Sequence, residues 1–134
     1  MTNHSKWMLV ATLGLIVILV LVVMVAKTSA PAVPFYDLAE VHEKNARWEL
    51  ARAAWFEAKD RVGHPSARGE TGRKAYYEYR IGMTYEREAQ HVLAIAHVHN
   101  ALRTPASEID IYMGRNGAKG MQEDLDDLMA RRSQ

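Results

Sequence analysis

The sequence predicts an all-α chain: one N-terminal transmembrane helix, then a small domain of helical hairpins finished by C-terminal helices. Three observations predict it. Trp7 to Ala26 is an apolar run of twenty residues without a charge. From Phe35 onward, apolar residues recur among polar ones at helical spacing. A single offset of 43 residues then lays Leu38, Ala39, His42, Ala51, Trp55 and Ala58 on Ile81, Gly82, Tyr85, Ala94, Val98 and Ala101, so one helical unit occurs twice.

Composition narrows the function classes. Of 134 residues, about a hundred fall outside the membrane segment, enough for one small domain and no second. Seventeen Lys and Arg stand against sixteen Asp and Glu. That balance argues against nucleic acid as a partner. With no cysteine, the chain has no disulfide, catalytic thiol, thiolate metal site, covalent c-type haem or lipoprotein anchor.

Residues 1–6 form a polar tail ending at Lys6. As a helix, residues 7–26 would span roughly 30 Å, the hydrocarbon thickness of a bilayer. Ala30-Pro31-Ala32 looks like a signal-peptidase site, but the apolar run exceeds the usual signal length of about 7 to 15 residues. A retained anchor is therefore expected. Lys6 and Trp7 at one end and Lys27 at the other are suited to the interfaces. Gly14 stands alone, so no small-residue motif marks a helix-pairing face. The amino terminus and Lys6 outweigh Lys27, which favours an inside amino terminus. The expectation is a single-pass protein of the bacterial inner membrane with a periplasmic C-terminal domain.

Residues 27–34, KTSAPAVP, read as an extended linker because two prolines discourage helix. Asp37 with Glu40 three residues later makes a capping box for a helix from about Leu38. Residues 35–105 hold two helical hairpins, separated by a loop at 64–72 rich in Pro and Gly. The second, Glu78 to Pro105, reads as two helices folded back through a turn at Glu88 to His91. Gly82 would let those helices approach, Ala94 and Ala101 would keep them close, and Tyr85 and Val98 would fill the space between. Residues 106–134 form the C-terminal capping or docking helices. Ala106 to Met113 reads as a short helix, although Ile109-x-Ile111 also suits a strand. Gly114, Gly117 and Gly120 mark a turn, and Met121 to Arg132 reads as an amphipathic helix with the stripe Met121, Leu125, Leu128 and Met129.

Ile81-Gly82-x-x-Tyr85, followed by Ala94, Val98 and Pro105, resembles the tetratricopeptide repeat, a helical hairpin with the pattern W-x2-L-G-x2-Y, A-x3-F, P. Phe35 fills the Trp slot of the first copy and Glu78 that of the second. His42 stands where the family has Tyr, and Ala39 where it has Gly. The offset exceeds the family's roughly 34 residues, and the insertion at 64–72 takes up the difference. A generic pair of helical hairpins is the competing description. The resemblance implies a protein-binding scaffold in which the outward face of each first helix lines a groove for a partner segment. Here that face carries Tyr76, Tyr79, Met83, Glu86 and Arg87 in one copy and Tyr36, Glu40, Glu43 and Lys44 in the other. The implied partner-binding residues are Tyr36, Glu40, Tyr76, Tyr79, Met83 and Arg87. The same tyrosines would equally suit packing against the C-terminal helices. About three repeats are needed for a stable stack, so two imply surface borrowed from a partner.

No G-x-S-x-G, phosphate loop or H-E-x-x-H motif is present, so no catalytic residue is expected. Glu88-x-x-His91 matches half of a di-iron motif but lacks the second copy and further glutamates. No metal, cofactor or small-molecule substrate is expected. The sequence therefore points to a non-enzymatic scaffold or accessory subunit of a bacterial membrane complex, respiratory or photosynthetic for example. Its partners would be other membrane subunits and the bilayer. A membrane-tethered assembly factor binding client peptides transiently is the alternative, and a metal- or haem-binding redox subunit the third.

Overall fold

The computed structural model describes residues 3–29, 33–63 and 67–134, with the backbone alone for residues 25–29 and 33–34. The chain is all-α: α1 (Asn3–Ser29), α2 (Val33–Lys44), α3 (Trp48–Asp60), α4 (Glu70–Arg87), α5 (His91–Ala101), α6 (Ala106–Met113) and α7 (Gly117–Arg132). It divides into two units, Met1–Ala30 and Pro31–Gln134.

In the first unit, Asn3–Met24 is long and apolar enough to cross a membrane. Its apolar side chains point outward along the whole length, as with Leu15 at 70 % exposure. Thr12 donates its hydroxyl proton to the Met8 carbonyl at 2.8 Å, which satisfies a polar group that lipid could not. Polar residues from Asn3 onward belong to the helix rather than to a tail.

The linker expected at 27–34 is shorter. Helix α1 runs to Ser29 and α2 begins at Val33, because Pro34 sits in the first turn, where its missing N–H costs nothing. Asp37 is consequently inside α2 and caps no helix. Ala30-Pro31-Ala32 and the His64-Pro65-Ser66 part of the loop lie outside the described residues.

Helices α2 and α3 fold back on one another, as do α4 and α5. The two turns match at the 43-residue offset. Ala46 and Ala89 have φ of 53° and 57°, and the next residues, Arg47 (φ −92°, ψ 69°) and Gln90 (φ −91°, ψ 65°), are nearly identical in backbone. The Arg47 N–H donates to the His42 carbonyl at 2.9 Å and the Gln90 N–H to the Tyr85 carbonyl at 3.0 Å. The first helix of each hairpin ends at Lys44 or Arg87, and the second begins at Trp48 or His91.

Helix α4 begins at Glu70, so the loop ends at Gly69 (φ 84°). Gly72, expected in that loop, is a buried helical residue, and a Cβ there would stand 2.0 Å from the Glu108 carbonyl oxygen. Its bare backbone is what lets α6 cross α4. Ala106 to Met113 is helical, which excludes the strand, and α7 starts at Gly117, four residues before Met121. Helices α6 and α7 pack on each other, α6 on α4 and α7 on α5. They form a third hairpin that covers the second.

Three apolar clusters fill the domain: Trp55 with Ala39, Ala58, Tyr77 and Ile81; Ile109 with Ala75, Ala101 and Met121; and Val98 with Ala94, Leu125 and Leu128. Met121, Leu125 and Leu128 are buried while Met129 is 54 % exposed, so the stripe on α7 caps the fold through three of its four residues. Among the residues expected to pack the hairpins, Ala51, Trp55, Ala58, Ile81, Gly82, Ala94, Val98 and Ala101 are buried. Tyr85 lies between the Arg52 guanidinium, 3.9 Å from its ring centre, and the stacked His97 ring at 5.2 Å. Leu38, expected in the hairpin packing, faces solvent instead. It is 45 % exposed, while Ala39 is fully buried and faces the core. Its counterpart Ile81 packs in the cluster that α3 supplies, and within the domain no helix precedes α2 to do the same for Leu38.

Candidate partner groove

Along α4, Tyr76, Tyr79, Met83 and Arg87 recur every three or four residues and share one face. The structure divides that face. Its amino-terminal half is covered: Tyr76 packs against Trp55, Tyr77, Tyr79 and Tyr112, with ring centres 5.5 to 6.4 Å apart. Its carboxy-terminal half is open. Tyr79, Met83 and Arg87 line a groove of about 410 Å³ together with Glu43, Lys44, Trp48, Arg80 and Thr84.

The groove walls come from both hairpins. Trp48 begins α3 and lies under the Arg87 guanidinium at 5.8 Å. Glu43 receives the Trp55 Nε1–H at 2.7 Å and pairs with Arg80, which fixes the end of α2 against α4. Lys44 and Arg87 are exposed and have no carboxylate within ion-pair distance among the described residues. The Tyr79 hydroxyl donates to Asp124 Oδ2 at 2.6 Å. Burial, and then that carboxylate, push the Tyr79 hydroxyl well above its ordinary pKa. The arrangement offers an aromatic and thioether surface with cations at its edge, which suits contact with a peptide.

Tyr36, Glu40 and Tyr76 are not in this groove. Tyr36 meets Trp55 edge-on at 5.3 Å, and with Tyr76, Tyr112 and Met113 it lines a separate cavity of about 340 Å³. Glu40 acts on Tyr36, whose hydroxyl is raised by burial first and then by this carboxylate. Tyr36 ties α2 to α3 and α4 through its ring contacts with Trp55 and Tyr77. Trp48, Arg80 and Thr84, absent from the sequence-derived set, join the groove. The repeat offset pairs Trp48 with His91 as the first residue of each second helix, and that position looks back at the end of the preceding helix.

Glu88 and His91 do not converge. Glu88 pairs with Arg52, whereas His91 Nδ1 lies 2.8 Å from Glu86. Glu86 also accepts from Arg131 Nη1 at 2.7 Å, tying α4, α5 and α7 together. Among the described residues no three metal-ligating side chains gather.

Behind the groove, Glu78 is buried between α3 and α5. Its Oε2 accepts from Lys59 Nζ at 2.6 Å, and its Oε1 contacts Asn100 Nδ2 at 3.0 Å and His97 Nδ1 at 2.8 Å. Burial opposes ionisation, but the contacts with His97, Lys59 and Asn100 outweigh it and hold the carboxyl at about 2.

No family model, curated protein or solved structure matches the chain.

Proposed function

We propose that this chain is a non-enzymatic scaffold or accessory subunit of a bacterial membrane complex, anchored by α1 and built on tetratricopeptide-like hairpins. The groove between Trp48, Tyr79, Met83 and Arg87 would hold an extramembrane segment of a partner subunit beside the inner membrane, on its periplasmic side. One observation carries this reading: an open aromatic groove with two unpaired cations lies in a chain that also has an outward-facing apolar helix of membrane-spanning length. Glu43, Arg80 and Tyr79 also serve the fold through Trp55 and Asp124, whereas Lys44 and Arg87 at the groove edge pair with no carboxylate among the described residues. The resemblance to tetratricopeptide repeats rests on Ile81-Gly82-x-x-Tyr85 and on the two matching turns. A stack of hairpins of this kind presents the exposed face of its first helices to ligands.

The test is purification of the full chain from native membranes in mild detergent, through a carboxy-terminal tag, with mass spectrometry of what accompanies it. A fixed set of membrane proteins in constant ratio supports a structural subunit. Trp48→Ser with Arg87→Ser should release that set while far-UV circular dichroism stays unchanged. Sub-stoichiometric, heterogeneous peptides would instead favour the transient assembly factor. Retention of the full set by the double variant would refute the groove.

A further inference from the structure

The donors around Glu78 open into a further cavity, of about 380 Å³, bounded by the end of α3, the start of α4 and the end of α5. Three cations line it, Lys59 from α3, Lys74 from α4 and Arg103 just after α5, together with the hydroxyls of Thr71 and Thr104. Glu78 is the single carboxylate among the described lining residues. Its two oxygens are already engaged by Lys59, His97 and Asn100, so it is not available to Lys74 or Arg103. Those two are exposed and have no carboxylate within ion-pair distance among the described residues.

Lys and Arg side chains offer only donors. A cavity lined by three cations with one spent carboxylate is therefore rich in donors, poor in acceptors, and left with a surplus of two positive charges. Its cations come from three chain segments, so they approach a central guest from different directions. A carboxylate would bring one negative charge against that surplus of two, whereas a phosphate brings up to two and presents oxygens that point several ways, which suits the guanidinium fork and the separated ammonium groups. Ala75 and Ala101, 3 % and 1 % exposed, form an apolar back wall that lowers the local dielectric and strengthens such contacts.

We propose that this cavity binds a phosphate group, with Lys74 and Arg103 as its charged ligands and the Thr104 hydroxyl as an additional donor. The site is separate from the partner groove and does not depend on it. Two sources share the chemistry, free inorganic phosphate and the headgroup of an anionic phospholipid.

The experiment follows thermal unfolding of the full chain by circular dichroism in two arms. In the first, the chain in uncharged detergent is titrated with sodium phosphate against sodium chloride at matched ionic strength. In the second, it is placed in nanodiscs of phosphatidylcholine with or without phosphatidic acid. A rise in the midpoint with phosphate assigns the free anion, and a rise confined to phosphatidic acid assigns the lipid headgroup. In either case Lys74→Gln with Arg103→Gln should weaken the apparent Kd by about tenfold or more. A charge-matched control, Arg115→Gln in the exposed turn before α7 with Lys119→Gln in its first turn, should keep the wild-type response. Should the double variant lose helicity, Arg103→Gln alone reads the same loss. No rise in either arm, a rise kept in full by the Lys74/Arg103 variants, or an equal loss in the control would overturn the site.

Discussion

Ala46 and Ala89, 43 residues apart, close the two hairpin turns with the same left-handed backbone, φ 53° and 57°. An L residue with a Cβ rarely adopts that conformation, and glycine enters it without strain. Ala46→Gly and Ala89→Gly should therefore each stabilise the domain, by about 0.5 to 1 kcal/mol after the added freedom of the unfolded chain is subtracted. Ala89→Val should destabilise it, because β-branching is least tolerated at positive φ. Chemical denaturation of the full chain in detergent would measure all three, and a loss of stability in both glycine variants would contradict the shared turn geometry.

The glycines Gly72 and Gly82 separate two degrees of close packing. A Cβ on Gly72 would fall 2.0 Å from the Glu108 carbonyl oxygen, a backbone atom that moves only if α6 moves. On Gly82 it would meet Val98 Cγ2 at 2.8 Å and the Ala94 carbonyl oxygen at 3.1 Å, and the valine methyl can shift in part. Gly72→Ala should cost about 3 kcal/mol and Gly82→Ala about 1 to 2 kcal/mol, as overpacking does elsewhere. The expected order, Gly72 worse than Gly82, is read from denaturation midpoints.

Acid should weaken the domain partly through Glu78. Its carboxyl titrates near 4.5 in the unfolded chain and about 2 when folded. The unfolded chain therefore takes up the proton first as pH falls. The stability owed to this carboxylate is complete above about pH 4.5 and is lost progressively between there and pH 2. With the remaining solvent screening, the amount is of the order of 2 kcal/mol. Melting midpoints from pH 6 to pH 3 should fall less steeply in Glu78→Gln than in the wild type, although the variant starts lower at pH 6. Parallel curves would remove Glu78 from the acid response.

Much of this fold is legible in the residues, and the limits of legibility have physical causes. The 43-residue offset locates both hairpins because small residues such as Ala51, Ala58, Ala94 and Ala101 recur where helices touch. The beginnings of α2 and α4 are harder to read. Pro34 and Gly72 both count as helix breakers in a one-dimensional reading, yet one sits in a first turn and the other permits a helix crossing that only α6 reveals. Leu38 misleads because an exposed leucine has the same spacing as a buried one. The groove is half legible: helical periodicity puts Tyr76 and Met83 on one face, but nothing local indicates that α6 covers the first and leaves the second open. Trp48 contributes from another hairpin, so periodicity along α4 alone does not find it.

The Tyr79–Asp124 hydrogen bond joins the groove to α7 and separates a packing role from a binding role. Tyr79 OH donates to Asp124 Oδ2 at 2.6 Å, while its ring lies against the clusters around Ile109 and Val98. Tyr79→Phe keeps the ring and removes the donor, leaving Asp124 half-buried without its partner. That should cost about 1 to 2 kcal/mol. Asp124→Asn can still accept the bond and should cost less. In a double-mutant cycle the pair should show a coupling of about 1 kcal/mol. Partner retention gives the second readout. If the groove is a binding surface, Met83→Ser should release the co-purifying proteins at a stability cost no greater than that of Tyr79→Phe, and Tyr79→Phe itself should retain them. Loss of partners in strict proportion to loss of stability, across all of these variants, would make Tyr79 and Met83 core residues and nothing more.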